Sequence, residues 1–266
     1  MDYNNKVIWI TGATSGIGKA LSFALAAKGA ILILSGRNEA ALKLLSQELH
    51  NPDLHSYLAF DLVEASSLES QVNKAWSFHN KIHILINNAG ISQRSLALET
   101  THEVDRLVMD IDYFAPLILT KSLVSKMRDL NFGMIVNIIS VAGKVGSPMR
   151  SAYSGAKHAL IGFMDSFRAE VSKYGIKIIN VCPGFVKTNI SKNALTGNAQ
   201  PYAKMDNEIL TGMSAEEFAK VLLRQLDKGK NEVIIAKGLP ALASFIHRIN
   251  PNFYHWVLPK IYQRNQ

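Results

Sequence analysis

The sequence predicts a doubly wound α/β fold, a mostly parallel seven-stranded sheet with helices on both faces, in a single domain. Three observations carry this. Short apolar runs alternate with longer amphipathic stretches through most of the 266 residues. The short runs are rich in Ile, Val and Leu and nearly continuous in apolarity, as in strands buried on both faces. Alternation of the two element types specifies a sheet covered by helices on either side.

The elements follow in order. Residues 7–11 (Val-Ile-Trp-Ile-Thr) form the first strand. Helix 16–28 follows, with Thr14 and Ser15 as start residues and Gly29 as its stop. Strand 31–35 leads to helix 39–49, strand 55–60 to helix 65–79, and strand 82–87 to helix 104–128. Strand 134–140 precedes helix 152–174, which Gly175 ends, and strand 176–181 precedes helix 215–228. Strand 232–236 closes the pattern.

Two segments break the alternation. Residues 188–212 are long and polar, with Gly197, Pro201 and Gly212 as breakers, and loops of this length are often functional lids. From residue 238 the chain is apolar and aromatic, with Arg248, Lys260 and Arg264 as its basic residues, and Pro240, Pro251 and Pro259 limit any single long helix. The expected organisation is a domain over 1–237, including the loop, and an apolar, basic extension over 238–266.

Composition narrows the classes. No run reaches the roughly 20 apolar residues that span a bilayer, and the run at 7–10 is short for a signal peptide. One cysteine, Cys182, cannot form an internal disulfide and reads as a small buried apolar residue. A cytoplasmic setting is expected. The net charge of +8 is spread, without dense basic blocks or a nucleic-acid-binding module, which points to an anionic cofactor or a membrane surface rather than to nucleic acid. The eight histidines show no metal-ligand spacing, and no metal is expected.

The first strand ends in Thr11-Gly12-Ala13-Thr14-Ser15-Gly16-Ile17-Gly18 and opens a helix. Glycines let backbone approach a pyrophosphate, and the helix start supplies amide donors and partial positive charge. The second strand ends at Ser35-Gly36-Arg37. An acidic residue near this point would hold a ribose 2′-hydroxyl; Arg37, with Ser35 beside it, suits a 2′-phosphate instead and favours NADP(H).

Tyr153-Ser-Gly-Ala-Lys157 begins a helix, so the phenol and the ammonium share a face. A free phenol titrates near pH 10, and a neighbouring ammonium favours the phenolate, preparing Tyr153 for proton exchange with an alcohol or carbonyl oxygen. Ser140, at the end of its strand, is placed to hold that oxygen as charge develops.

The spacing Gly-x-x-x-Gly-x-Gly, the string Asn87-Asn88-Ala89-Gly90, the Ser140, Tyr153 and Lys157 set and Pro183-Gly184 come in the order found in short-chain dehydrogenases/reductases. The chain resembles that family over nearly all of residues 6–237. The resemblance implies a Rossmann-type fold, and hydride transfer between NADP(H) and a small carbonyl or alcohol substrate. It implies that Asp61 and Leu62 border the adenine, that Asn88, Ala89 and Gly90 pass close to the cofactor, and that Asn87 stabilises the sheet. It further implies that Lys157 bonds the nicotinamide ribose and that Pro183, Gly184, Val186 and Thr188 lie beside the nicotinamide. A homo-oligomer through helices 104–128 and 152–174 is usual in such proteins. The sequence departs from the pattern at Asp112, where the family carries an asparagine that holds a relay water; an ionised carboxylate accepts hydrogen bonds but donates none.

Two other function classes stay open. One is a dinucleotide-binding sensor or scaffold without turnover, for which Asp112 speaks. The other is a peripheral membrane protein working through its tail. The tail suits a membrane interface, a cover over the cleft or a subunit contact, and packing on the protein is the favoured reading.

Overall fold

The computed structural model describes residues 1–264, without the side chain of Arg264, so that basic group of the tail and residues 265–266 lie outside the description. Strands β1 (Val7–Thr11), β2 (Ile31–Gly36), β3 (Ser56–Ala59), β4 (Ile84–Asn87), β5 (Gly133–Ile138), β6 (Ile176–Pro183) and β7 (Glu232–Ile235) form one sheet among the described residues. The order is β3-β2-β1-β4-β5-β6-β7, with every neighbouring pair parallel. The chain builds outward from β1, returns to place β4 beside it, and builds outward again. A crevice therefore opens at the carboxyl ends of β1 and β4, the point where such sheets take ligands.

The continuous apolarity of the strands has a direct cause. Alternate side chains leave a strand on opposite faces. Ile8, Ile10, Leu32 and Leu34 pack on one face against helices α1 (Gly16–Ala26), α2 (Glu39–Glu48) and α8 (Ala215–Leu226). Val7, Trp9, Ile33 and Ile135 pack on the other against α3 (Leu68–Ser77), α5 (Ala115–Met127) and α6 (Ser151–Val171). Cys182 lies in this second layer, and burial pushes its thiol up to about 12, as befits an inert core residue.

The helix expected over 104–128 is divided. Helix α4 (His102–Met109) passes into a wider π-turn (Asp110–Phe114) before α5 begins. Pro116 explains the break: it has no N–H for the Asp112 carbonyl, and its ring crowds that carbonyl. The wider turn carries the Asp112 side chain into the protein, where none of it is exposed.

Segment 188–212 holds a short helix, α7 (Asn207–Leu210), within otherwise irregular chain. The tail folds as two helices, α9 (Leu239–Ile249) and α10 (Pro251–Arg264). Pro240 sits in the first turn of α9, Pro251 opens α10, and Pro259 lies inside it. One face of the pair packs on the body, where Tyr254 Oη donates to the Gly146 carbonyl at 2.9 Å beside Val141 and Val145. No helix among the described residues is long and apolar enough to cross a membrane.

Three asparagines cross the centre of the sheet in register, Asn87, Asn137 and Asn180. Asn87 Nδ2 donates to Asn137 Oδ1 at 2.9 Å, Asn137 Nδ2 to Asn180 Oδ1 at 3.2 Å, and Asn180 Nδ2 to Asp165 Oδ1 at 3.1 Å. Asn87 Nδ2 also donates to Thr120 Oγ1 at 3.0 Å, tying the row to α5. Asn137→Ala removes the middle member and strands buried amide groups on both sides. Urea unfolding of this variant should show a loss of about 2–3 kcal/mol; a loss under about 0.5 kcal/mol, the ordinary surface value, would mean the row contributes nothing to stability.

Candidate active site

The glycine turn is held by β4's exit segment. Thr11 Oγ1 accepts from the amides of Asn88 and Ala89 at 3.0 and 3.1 Å. Asn88 Nδ2 returns bonds to the carbonyls of Thr11 and Gly12 at 2.9 and 3.1 Å. Gly12 has φ +64°, and a Cβ there would lie 2.9 Å from Ala89 Cα, so only glycine lets the two segments touch. Asn88 and Ala89 thus act on the turn through its backbone. Ser15 starts α1 with no side-chain cap bond, so the first amides of the helix keep their donors.

Elsewhere in the cleft stand the residues expected to carry acid–base chemistry. Tyr153 lies in the first turn of α6 and Lys157 one turn on, with its ammonium 5.5 Å from the Tyr153 ring centroid. Ser140 follows β5, its hydroxyl accepting from Ala142 N at 3.1 Å. The π-turn brings Asp112 to this group: its Oδ2 is 3.2 Å from Lys157 Nζ, and its Oδ1 accepts from Ile91 N at 2.9 Å. Gly90 closes the space above the pair, since a Cβ there would lie 2.9 Å from Asp112 Oδ1 and 3.2 Å from Lys157 Nζ.

Lys157 lowers the Tyr153 pKa as expected, but it does not set the balance alone. Burial pushes the phenol up and Lys157 pulls it down. Asp112 pushes it up again, while Ser140 and Arg150 pull down, and the balance lies above the ordinary value. Burial disfavours the Lys157 ammonium, but the charges of Asp112 and Tyr153 outweigh this and raise its pKa. Burial raises Asp112 against the opposing pull of Lys157 and the Ile91 amide.

A cleft of about 1200 Å³ joins the two ends. Gly12, Thr14, Ser15, Gly16, Ile17, Arg37, Asp61 and Leu62 line one part of it. Asn88, Ala89, Gly90, Ser140, Tyr153, Lys157, Pro183, Gly184, Val186 and Thr188 line it as well. Arg37 is exposed and makes no ion pair among the described residues. Ser35 also borders the cleft, but it is buried and its hydroxyl accepts from Trp9 Nε1 at 2.8 Å, so its side chain is engaged in the core. Gly18 and Asp112 do not line the cleft: Gly18 packs against the Gly12 carbonyl, and Asp112 lies behind Lys157. Val186 is buried and bridges to Met213. Among the described residues no group of three or more His, Cys, Asp or Glu could hold a metal ion.

Sequence reasoning missed three charged residues in the cleft wall. Arg94, Arg150 and Asp206 come from three separate segments and meet as ion pairs. No local motif marks them. The α9–α10 pair also walls the cleft, with Leu242, Ile246 and Leu258 among its contributions.

A family model described as short chain dehydrogenase matches residues 6–199. The chain is 42% identical over 258 residues to dehydrogenase/reductase SDR family member 7B of Xenopus tropicalis, covering 93% of this chain and 82% of the relative. A short chain dehydrogenase from Burkholderia cenocepacia, solved with NADP, superposes with a TM-score of 0.79 at 23% identity, covering 97% of this chain and 99% of the other. A short chain dehydrogenase/reductase from Burkholderia phymatum, solved with NAD, gives 0.78 at 21% identity with 93% of both chains covered. At those identities the two structures speak for the fold.

Asp112→Asn removes a negative charge that opposes the Tyr153 phenolate. In cofactor-free protein, the absorbance titration of Tyr153, isolated by subtracting Tyr153→Phe, should move to lower pH in Asp112→Asn. An unchanged or higher midpoint would show that the Asp112 charge does not act on the phenol.

Proposed function

The chain belongs to the short-chain dehydrogenase/reductase family of nucleotide-binding oxidoreductases, and on that premise we propose that it transfers hydride between NADP(H) and a carbonyl or secondary-alcohol carbon. The observation that carries this is the single cleft with a glycine turn and an unpaired Arg37 in one part and Ser140, Tyr153 and Lys157 in the other. The residues suit such a cofactor. A Cβ at Gly16 would lie 2.9 Å from Thr188 Cγ2, so glycine keeps a gap open between the turn and the segment after β6. The α1 amides and Ser15 would hold the pyrophosphate, Asp61 and Leu62 the adenine, and Lys157 the nicotinamide ribose. A free guanidinium at Arg37 favours the phosphorylated dinucleotide.

NADPH, when bound, supplies the hydride. Tyr153 gives its proton to the carbonyl oxygen and takes one back in the reverse direction. Ser140 holds the same oxygen by hydrogen bonding as negative charge develops there. Lys157 keeps a positive charge beside the phenol, opposing the burial that disfavours its ionised form. Asp112 fixes that ammonium from behind, and through the Ile91 amide it fixes the segment that carries Gly90.

The lone, buried Cys182 favours a reducing, cytoplasmic setting. The expected homo-oligomer has a suitable surface on α6, where Phe163 and Phe167 stack at 5.5 Å beside exposed Gly162. The outer face of α9–α10 exposes Leu239, Phe245, Ile249 and Trp256, with Lys260 Nζ 3.2 Å from the Trp256 ring centroid. Residues 238–266 contain no Asp or Glu. Such a face suits weak contact with an anionic membrane surface. Removing residues 238–266 should abolish sedimentation with anionic liposomes; sedimentation of the shortened chain at the full level would exclude the tail as the contact.

A second reading, an NADP(H) sensor without turnover, draws on the Lys157–Asp112 ion pair, which engages the ammonium. One assay separates the two. NADPH and NADH consumption is measured at neutral pH with a panel of ketones and aldehydes, for wild type, Tyr153→Phe and Arg37→Glu. Turnover should fall about 100-fold or more in Tyr153→Phe with NADPH still bound. Arg37→Glu should weaken NADPH about 10–100-fold and leave NADH little changed, the loss expected for a charge-assisted bond. Tight NADPH binding without turnover of any carbonyl would move the assignment to the sensor.

A further inference from the structure

Segment 188–212 leaves β6 and reaches α8 along the cleft wall, lining it with Asn189, Ser191, Asn193 and Asp206. Its first half is stitched to the chain after β4. Arg94 N donates to the Leu195 carbonyl at 2.7 Å, Leu195 N to the Ser92 carbonyl at 2.8 Å, and Thr101 N to the Gly197 carbonyl at 2.9 Å. Its second half folds back on the first, with Tyr202 N donating to the Ala194 carbonyl at 2.7 Å and Asp206 N to Ser191 Oγ at 3.1 Å. Side chains make the last connection to the body. Asp206 Oδ1 is 3.3 Å from Arg94 Nη2, and Asp206 Oδ2 accepts from Arg150 Nη2.

The pairing is enclosed. The Asp206 side chain is 6% exposed, Arg150 18% and Arg94 22%. Arg94 Nε is buried with no partner, and Asp206 is the one acidic group that pairs with that guanidinium among the described residues. Two guanidiniums from different loops repel one another, and one shared carboxylate is what permits them to sit together away from water. Arg150 is also the residue from which α6 starts, three positions before Tyr153. The bend that delivers it is strained: Met149 has φ +61°, a left-handed conformation that only its surroundings hold in place. Ser95 N donates to the Met149 carbonyl at 3.1 Å, so the bend is tied to the residue next to Arg94.

We infer that Asp206 latches segment 188–212 over the cleft and acts as a positioning residue for Tyr153, through Arg94 on the loop after β4 and Arg150 at the start of α6. The latch rests on the reductase reading only in naming Tyr153 as the group positioned. Without the shared carboxylate the two guanidiniums separate, the segment keeps its backbone bonds to the chain after β4 but loses its side-chain tie to the start of α6, and the bend before α6 loosens.

Hydrogen exchange on the NADPH-loaded full chain tests this without turnover. In Asp206→Asn, peptides covering 188–206 and 144–150 should exchange about tenfold faster or more, with β1 and β4 unchanged, and Asp206→Glu should restore protection. Turnover of 4-nitrobenzaldehyde should fall in kcat while NADPH affinity holds. If Asp206→Asn loosens the whole sheet, Arg94→Gln decides, since it removes one guanidinium and leaves the Arg150 pair intact; lid exchange should rise there too. Wild-type exchange over 188–206 in Asp206→Asn, or in Arg94→Gln where that variant decides, overturns the latch. If wild type turns over no carbonyl but the exchange result appears, the latch stands and the reductase reading falls.

Discussion

A lysine ammonium that is 4% exposed needs a counter-charge, and much of the local architecture follows from how Lys157 obtains one. The charge comes from Asp112, a residue of a helix that would otherwise run past at a different angle. Pro116 interrupts that helix, the π-turn widens it, and the carboxylate turns inward. Its second oxygen takes the Ile91 amide, which fixes the segment leaving β4. Gly90 must then be glycine, because the carboxylate and the ammonium fill the space where a Cβ would stand. The same segment, two residues before Gly90, holds the glycine turn through Thr11 and Asn88. The dinucleotide end and the acid–base end of the cleft are therefore parts of one hydrogen-bonded assembly. Removing a partner from such a buried pair costs about 3–5 kcal/mol in comparable systems, enough to couple site and fold.

The charges around Tyr153 are arranged in opposition. Lys157 and Arg150 favour the phenolate, while burial and Asp112 disfavour it. Asp206 in turn pairs with Arg150, moderating a cation near the phenol. Arg37 lies apart from this balance, at the end of β2, exposed and without an acidic partner among the described residues. The cleft thus separates a cation left without an acidic partner from cations whose effect on a proton is set by neighbours.

Much of this was legible in the sequence because local rules wrote it. Strands buried on both faces gave unbroken apolar runs, and their order made the crevice at β1 and β4 foreseeable. The glycine turn, Asn88 and the Tyr153–Lys157 spacing are short-range signals that survive without coordinates. Other features depend on distance in sequence. Arg94, Arg150 and Asp206 lie 56 and 112 residues apart along the chain and meet only through the path of the 188–212 segment. The division of helix 104–128 did leave a mark, Pro116, whose missing donor points straight at Asp112. Ser35 borders the cleft beside Arg37 as expected, and alternation along β2 turns its hydroxyl to Trp9, a contact its place in the motif did not announce.

The tail shows why a pattern of residues does not by itself choose a surface. Its prolines allowed two helices rather than one, and two helices have two faces to dispose of. Tyr254, Ala243 and Ile246 settle one face against Val141 and Val145, next to Ser140 and the start of α6. That contact makes the extension part of the cleft wall. The other face keeps Leu239, Phe245, Ile249 and Trp256 in the open. The extension thus walls a cleft on one side and presents apolar side chains on the other. The same helices contact the loop carrying Gly146, four residues before Arg150. Between that contact and Tyr153 lies the bend that Arg150 terminates.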